Sequence, residues 1–179
     1  MSSMQILIVL CGVAAVIYGL ITSRQILSLD SGNDKMKEIA SAIQEGARAY
    51  LNRQYMTIAI VGVVIFLLIW FVFDLASGIG FLIGAFFSGA AGYVGMNISV
   101  RSNVRTTHAA SKSLAQGLSV SFKAGAVTGM LVAGFALLSI AVFYFILHNS
   151  GSFPGREIVA PLVSLGFGAS LISIFARLG

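Results

Sequence analysis

Five apolar stretches, separated by polar segments, divide the chain into the spans that the sequence predicts. They cover residues 4–22, 55–73, 79–100, 124–147 and 158–176. Each is close to the roughly 20 residues that a helix needs to cross the hydrocarbon of a bilayer. No acidic residue lies inside any of them. The pattern therefore predicts an all-α membrane protein with about five transmembrane helices.

The segment 33–54 has a different pattern, because its apolar residues form only one stripe. Charged and amide side chains cover its other faces. No proline or polar break separates this segment from the second span, so we predict one continuous helix that rises from water into the bilayer. Asn33 or Asp34 can cap its first turn. The stripe consists of Met36, Ile39, Ala40, Ile43, Ala47, Tyr50 and Leu51.

A second helical extension, 101–123, is predicted after the third span. Arg101, Arg105, His108 and Lys112 are spaced four, three and four residues apart, so they share one helix face. One interpretation is a solvated stripe that faces lipid headgroups. The other is an electropositive cytoplasmic face that an anionic substrate approaches. The stripe has no glycine-rich phosphate loop beside it in the sequence.

Composition places these segments in a membrane and orients them. The chain is 58% hydrophobic and 9% charged, whereas soluble domains carry about 25% charged residues. The net charge of +5 would suggest nucleic acid in a soluble protein, but here membrane orientation explains it, and no nucleic-acid partner is expected. Ten basic residues fall on one side of the predicted spans: Arg24, Lys35, Lys37, Arg48, Arg53, Arg101, Arg105, Lys112, Lys123 and Arg177.

Only Arg156 falls on the other side. Positive residues accumulate in cytoplasmic segments of membrane proteins. The bias therefore predicts an N-terminus outside, a C-terminus in the cytoplasm, and a multi-pass protein of the cell (inner) membrane.

Small residues recur every four positions in two of the spans. Such rows let another helix approach closely, so helix packing is the first interpretation, and a substrate groove is the alternative. His148, near the end of the fourth span, has no ligand partner at metal-binding spacing, so no metal site is predicted there. The rows are Gly80, Gly84, Ser88 and Gly92 in the third span, and Gly125, Gly129 and Ala133 in the fourth.

Arg177 is the candidate functional residue of the fifth span. Gly166, Ser170 and Ser173 share its helix face, and small or polar residues typically face other helices. An arginine turned into a bundle is unfavourable unless it meets a carboxylate or water. Arg177 therefore either extends to the headgroups or pairs with an acid outside this sequence. The chain stops two residues later, so we expect a longer protein and a larger helical bundle.

Three segments resemble membrane-integral inorganic pyrophosphatases, the ion-pumping family. Met36–Tyr55 is similar to the segment leading into the family's second helix, Gly95–Thr107 to its third-helix exit, and Gly166–Gly179 to its fifth helix. The three matches occur in the family's order and topology. The chain is thereby identified as the N-terminal part, residues 1–179, of one such membrane domain.

The resemblance implies hydrolysis of inorganic pyrophosphate at a cytoplasmic, Mg²⁺-loaded site, coupled to export of protons or sodium ions, in a homodimer. The family's first substrate motif begins just after the equivalent of Gly179. No catalytic or metal residue is therefore expected in this chain, and the isolated fragment should be inactive. Arg177 occupies the position of the arginine that lines the passage between the hydrolytic site and the ion gate.

Two other readings of the residues stay open. A small oligomeric transporter or channel subunit, complete in 179 residues, would conduct ions without pyrophosphate. A non-catalytic assembly subunit would co-purify with a larger partner and conduct nothing alone.

Overall fold

The part of the chain that the structure describes forms five long helices, α1 to α5. A computed structural model describes residues 3–151 and 155–178, with side chains described for 3–151 and 157–174. A short 3-10 turn, Gly155–Ile158, leads into the last helix. The helices are α1 Ser3–Leu27, α2 Asp34–Val72, α3 Leu75–Lys112, α4 Leu114–Asn149 and α5 Val159–Leu178.

The all-helical membrane fold predicted from the apolar pattern is confirmed. Helices α1 to α4 are each long and apolar enough to cross a membrane, and α5 contains a shorter apolar stretch, Val159–Ile174. Large apolar side chains remain exposed along these helices, such as Ile60, Phe71 and Val163. In a bilayer such faces are covered by lipid tails or by further helices rather than by water.

Helix α2 runs without interruption from the polar segment into the apolar one. Asn33 is its cap, because the Asn33 side chain accepts a hydrogen bond of 2.9 Å from the backbone N–H of Met36. The apolar stripe of its first turns is only partly covered, since Ile39 and Ile43 are each 53% exposed. Helix α2 contacts mainly α3.

The segment 101–123 is divided between two helices at Ser113. Helix α3 ends at Lys112, and the Ser113 side chain accepts a hydrogen bond of 3.2 Å from the backbone N–H of Gln116 to begin α4. Serine suits this position because its hydroxyl satisfies an N–H that the first turn leaves unpaired. A single non-helical residue thus joins two helices of more than 35 residues each.

Helix α3 is the centre of the fold, since it contacts α1, α2, α4 and α5. Its contact with α5 is the closest: Ser88 Oγ donates a hydrogen bond of 2.8 Å to the carbonyl of Ala169. Three glycines meet backbone carbonyls of the other helix so closely that a Cβ would not fit. These pairs are Gly80 with Pro161, Gly84 with Leu165, and Gly168 with Phe81.

Residue numbers rise together from the Gly80–Pro161 contact through Gly84–Leu165 to the Ser88–Ala169 hydrogen bond, so α3 and α5 are parallel. The predicted α3 row is therefore occupied by helix packing, as its first interpretation stated. Its last member, Gly92, meets Tyr55 of α2 instead, and a Cβ there would lie 2.8 Å from the Tyr55 hydroxyl.

Helices α1 and α4 also approach each other closely at glycines. A Cβ on Gly134 would lie 2.9 Å from the carbonyl oxygen of Gly12, and one on Gly12 would lie 3.2 Å from that of Gly134. The α4 row identified from sequence has no such role among the residues described. Gly125 and Gly129 have open space where a side chain would be.

The face of α5 that carries Gly166, Ser170 and Ser173 is not the one that packs on α3. Gly166 and Ser170 are exposed, and Ser173 is half-buried. Helix α5 packs on α3 through the neighbouring positions Leu165, Gly168 and Ala169, where small residues also admit the other helix. That the first face turns toward helices outside this sequence stays a prediction.

We expect Gly84→Ala to destabilise the packing of α3 on α5, because the added methyl group would overlap the Leu165 carbonyl. Inserting a methyl into a packed interior costs about 1–3 kcal/mol. Thermal unfolding of the purified chain in detergent, followed by circular dichroism, measures the loss. Gly166→Ala is the matched control and should change stability by less than about 0.5 kcal/mol. Equal losses in both variants would contradict the assigned contact.

Candidate functional site at the basic end of the helices

Arg105 closes the end of α1. The last carbonyls of a helix lack partners within that helix. The Arg105 guanidinium supplies one: Nη2 donates to the carbonyl of Leu27 at 2.9 Å. Its Nε donates to the carbonyl of Leu29, two residues beyond the helix, at 3.1 Å. Its Nη1 donates to the carbonyl of Arg101 at 2.6 Å within α3. The planar fork of arginine thus joins the α1 terminus to α3.

Asp30 and His108 form a second link between the same elements. His108 Nε2 lies 3.4 Å from Asp30 Oδ2, and the His108 side chain is 21% exposed. The other carboxylate oxygen of Asp30 accepts a 3.0 Å hydrogen bond from the backbone N–H of Gly32. This bond is the main cause that lowers the pKa of Asp30 below its ordinary value, against an opposing effect of desolvation, and the charges of His108, Lys112 and Lys37 lower it further.

Gly32 is required in this loop for two reasons. Its φ of +83° lies in the left-handed region that favours glycine. A Cβ at this position would also lie 3.0 Å from His108 Nδ1 and closer still to the Met36 sulfur. We call the group formed by Asp30, Gly32, Arg105 and His108, with the α1 carbonyls, the loop clamp.

The four residues of the predicted basic stripe therefore have different surroundings. Arg105 and His108 belong to the loop clamp, while Arg101 and Lys112 are exposed on the same helix. Sequence spacing placed all four on one face but did not reveal the clamp, because its acceptors are backbone carbonyls of α1. The electropositive cytoplasmic face for an anionic substrate stays a prediction.

Arg177 lies in the last turn of α5. Its side chain is outside the part of the chain whose side chains are described. The prediction of a buried, paired guanidinium therefore stays a prediction. What the structure adds is the position of the helix: α5 runs parallel to α3, so Arg177 is at the end of the bundle that also holds the loop clamp.

The described residues do not fit a magnesium site. They contain no group of three or more His, Cys, Asp or Glu side chains that could hold a metal ion. His148 instead stacks on Tyr144, with ring centroids 5.7 Å apart. No step that involves Mg²⁺ is derived for these residues.

A groove of about 540 Å³ opens at the junction of α3, α4 and α5. Three members of the predicted α3 row, Gly84, Ser88 and Gly92, line this groove. A substrate groove, the alternative interpretation of that row, stays a prediction. The other lining residues come from separate helices, which spacing within one helix could not bring together. The lining hydroxyls are those of Tyr55, Ser88, Ser99, Thr128, Ser139 and Ser173.

Comparison with known families agrees with this architecture. The family model described as inorganic H⁺ pyrophosphatase matches residues 13–179, nearly the whole chain. The chain belongs to this pyrophosphatase family. The resemblance carried by the three segments quoted above is thus confirmed.

Several curated members of the pyrophosphatase family align with almost all of this chain. Each is described as a K⁺-insensitive pyrophosphate-energized proton pump. The relative from Methanosarcina mazei is 49% identical over 95% of this chain, and that from Pyrobaculum aerophilum is 40% identical over 100%. One from Caldanaerobacter subterraneus subsp. tengcongensis is 37% identical over 93%. The alignments cover 24%, 25% and 26% of these three proteins, so the chain spans about a quarter of their length.

We expect Arg105→Lys to loosen the link between α1 and α3. A lysine ammonium cannot reproduce the two-pronged contact with Leu27 and Leu29. Hydrogen bonds to charged groups contribute about 1.5–3 kcal/mol each to stability, and partial exposure reduces this contribution. We therefore expect the contact between α1 and α3 to lose about 1–2 kcal/mol of stabilising free energy. Faster cleavage by trypsin at Arg24 would report the loosening. Arg101→Lys is the control, and equal acceleration in both variants would contradict the role of Arg105.

The lowered pKa of Asp30 predicts acid sensitivity of the loop clamp. Because the folded pKa is depressed, the carboxylate stabilises the clamp above its ordinary pKa, and the contribution is lost as the pH falls through the lowered value. The backbone amide of Gly32 should report this in an NMR titration, with a midpoint below the ordinary value of about 3.9. Asp30→Asn should abolish the titration. A midpoint at or above the ordinary value would contradict the prediction.

Proposed function

We propose that this chain is the N-terminal quarter of a pump that couples hydrolysis of inorganic pyrophosphate to proton export. The observation that carries the proposal is the 49% identity to the Methanosarcina mazei proton pump over 95% of this chain. Because the alignment covers 95% of the chain, it includes both polar extensions as well as the spans. It supports a common role for the segment, not only a common fold.

In this proposal the chain supplies scaffold and coupling elements, and the hydrolytic site lies elsewhere in the polypeptide. Pyrophosphate hydrolysis needs carboxylates that hold divalent cations and a water that attacks phosphorus. Magnesium supplies charge neutralisation to such a reaction when it is bound. The described residues contain no suitable cluster, so its ligands are assigned to the remaining three quarters of the protein.

The coupling residue proposed within this chain is Arg177. Helix α5 is fixed along α3 by the close contacts at Gly84 and Ser88. A movement of either helix is therefore transmitted to the other. A guanidinium at the last turn of α5 can exchange partners between an acid and water as charge changes at a neighbouring hydrolytic site.

The assembly that completes the proposal is a homodimer in the cell membrane, with the basic end of the helices in the cytoplasm. The orientation is supported by the ten basic residues on one side of the spans against one on the other. Basic residues exposed at this end, such as Arg101 and Lys112, would increase the local concentration of a polyanion such as pyrophosphate.

The reading as a complete channel or transporter subunit is not favoured. The aligned pumps are about four times as long as this chain, and the match is continuous through it. Reconstitution of the 179-residue chain in proton-loaded vesicles should give no flux, with or without pyrophosphate. Pyrophosphate-independent flux would instead support the channel reading.

We expect Arg177→Ala in the complete pump to reduce both pyrophosphate hydrolysis and proton transport. Loss of a charge that acts in the coupling step should lower the turnover at least about ten-fold, equivalent to about 1.4 kcal/mol of activation free energy. Hydrolysis is measured by phosphate release, and transport by dye quenching in inverted vesicles.

Arg24→Ala is the matched control, because Arg24 is an exposed arginine at the same end of the helices. It should retain both activities. Arg177→Lys keeps the charge but not the fork, and should recover part of the hydrolysis. If the Arg177→Ala variant is present in the membrane in the normal amount and pumps at the full rate, the coupling role is contradicted. Arg177 would then only contact lipid headgroups.

A further inference from the structure

One face of α4 is uncovered along most of its length. In its first turns it carries large apolar residues at a spacing of four: Leu114, Leu118 and Phe122 are 76%, 60% and 79% exposed. Further along, the same face carries Gly125, Gly129 and Val132. A Cβ at either glycine would meet nothing within 4 Å, and Val132 is 51% exposed.

Lipid can cover only part of this face. Helix α4 has 36 residues and is therefore about 54 Å long, against a hydrocarbon thickness of about 30 Å. With Leu147 at the outer edge, about 20 residues bring the helix to Thr128 at the inner edge. Leu118 then lies about 15 Å beyond the hydrocarbon.

Leu114 and Leu118 would consequently be exposed to water if nothing else covered them. Burying a leucine side chain contributes about 1.5–3 kcal/mol, so a row of such residues outside the membrane indicates a protein surface that becomes covered. Closer to the middle of the bilayer the face changes to small residues. Small residues let a second helix approach closely within lipid.

We propose that this face of α4 is the docking site of one further helix, longer than the bilayer, from the part of the same polypeptide that follows the aligned quarter. This inference rests on the proposed function. A single helix crossing the membrane and extending about 15 Å beyond it covers both halves of the face. Its chemistry is apolar, with small or hydroxyl-bearing residues opposite Gly125 and Gly129.

The same polypeptide is favoured over lipid or a second copy by two observations. Lipid tails do not reach Leu118. The aligned pumps contain about three times as much further chain as this segment, and that chain must pack on the surfaces that α1 to α5 leave open. The uncovered face also borders the hydroxyl-lined groove, since Val132 and Ala136 belong to both.

Photo-crosslinking in the complete pump tests the assignment. p-Benzoylphenylalanine replaces Leu118 in one preparation and Val132 in another, and the crosslinked peptides are identified by mass spectrometry. Both positions should capture peptides of the same polypeptide from beyond residue 179, within a monomer-sized product. The two captured residues should lie in one helix, on the order of 14 residues apart. Ala14, which is exposed on α1, is the control position and should not capture this helix.

Several results would overturn the inference. These are lipid adducts alone at Val132, no product at Leu118, a dimer-sized product at either position, or capture of the same peptide at Ala14. Pyrophosphate hydrolysis by each preparation before illumination separates the two proposals. An active pump with any of these outcomes refutes the docking site alone, whereas inactivity of the unmodified complete protein refutes the proposed function.

Discussion

The close approach of the α3 and α5 backbones is the contact on which the rest of the fold depends. Within lipid, apolar side chains gain little by leaving one hydrocarbon environment for another, so helices associate through close van der Waals packing and hydrogen bonds. Gly84 allows the Leu165 carbonyl to lie where a side chain would otherwise be. Because α3 contacts every other helix, this pair fixes the frame on which α1, α2 and α4 are arranged.

A different type of interaction operates at the basic end. There the helices leave the hydrocarbon, and charged side chains rather than glycines hold the elements together. Arg105 and His108 attach the α1–α2 loop to α3. The chain thus combines apolar packing at membrane depth with polar attachment outside it. In the pump proposed above, such a frame would let events at the hydrolytic site move helices rather than bend them.

The helices could be predicted from sequence because a bilayer leaves few alternatives to a helix for an apolar stretch. The row containing Gly84 was correctly assigned to packing, since close spacing of small residues has one common use. The same reasoning could not select the face of α5 that packs on α3, because α5 has small residues on two adjacent sides. The attachment of Arg105 to Leu27 could not be predicted, because every residue has a backbone carbonyl and the sequence does not show which of them accept a side-chain hydrogen bond.

The seating of the Leu165 carbonyl against Gly84 also restricts how α5 can move. Gradual axial sliding would drive that oxygen into the side chains on either side of the glycine. Any displacement along the axis would therefore proceed in whole steps from one small residue to the next, four residues or about 6 Å apart. Helix α5 would therefore have only a few allowed axial positions along α3, and it would not slide continuously between them.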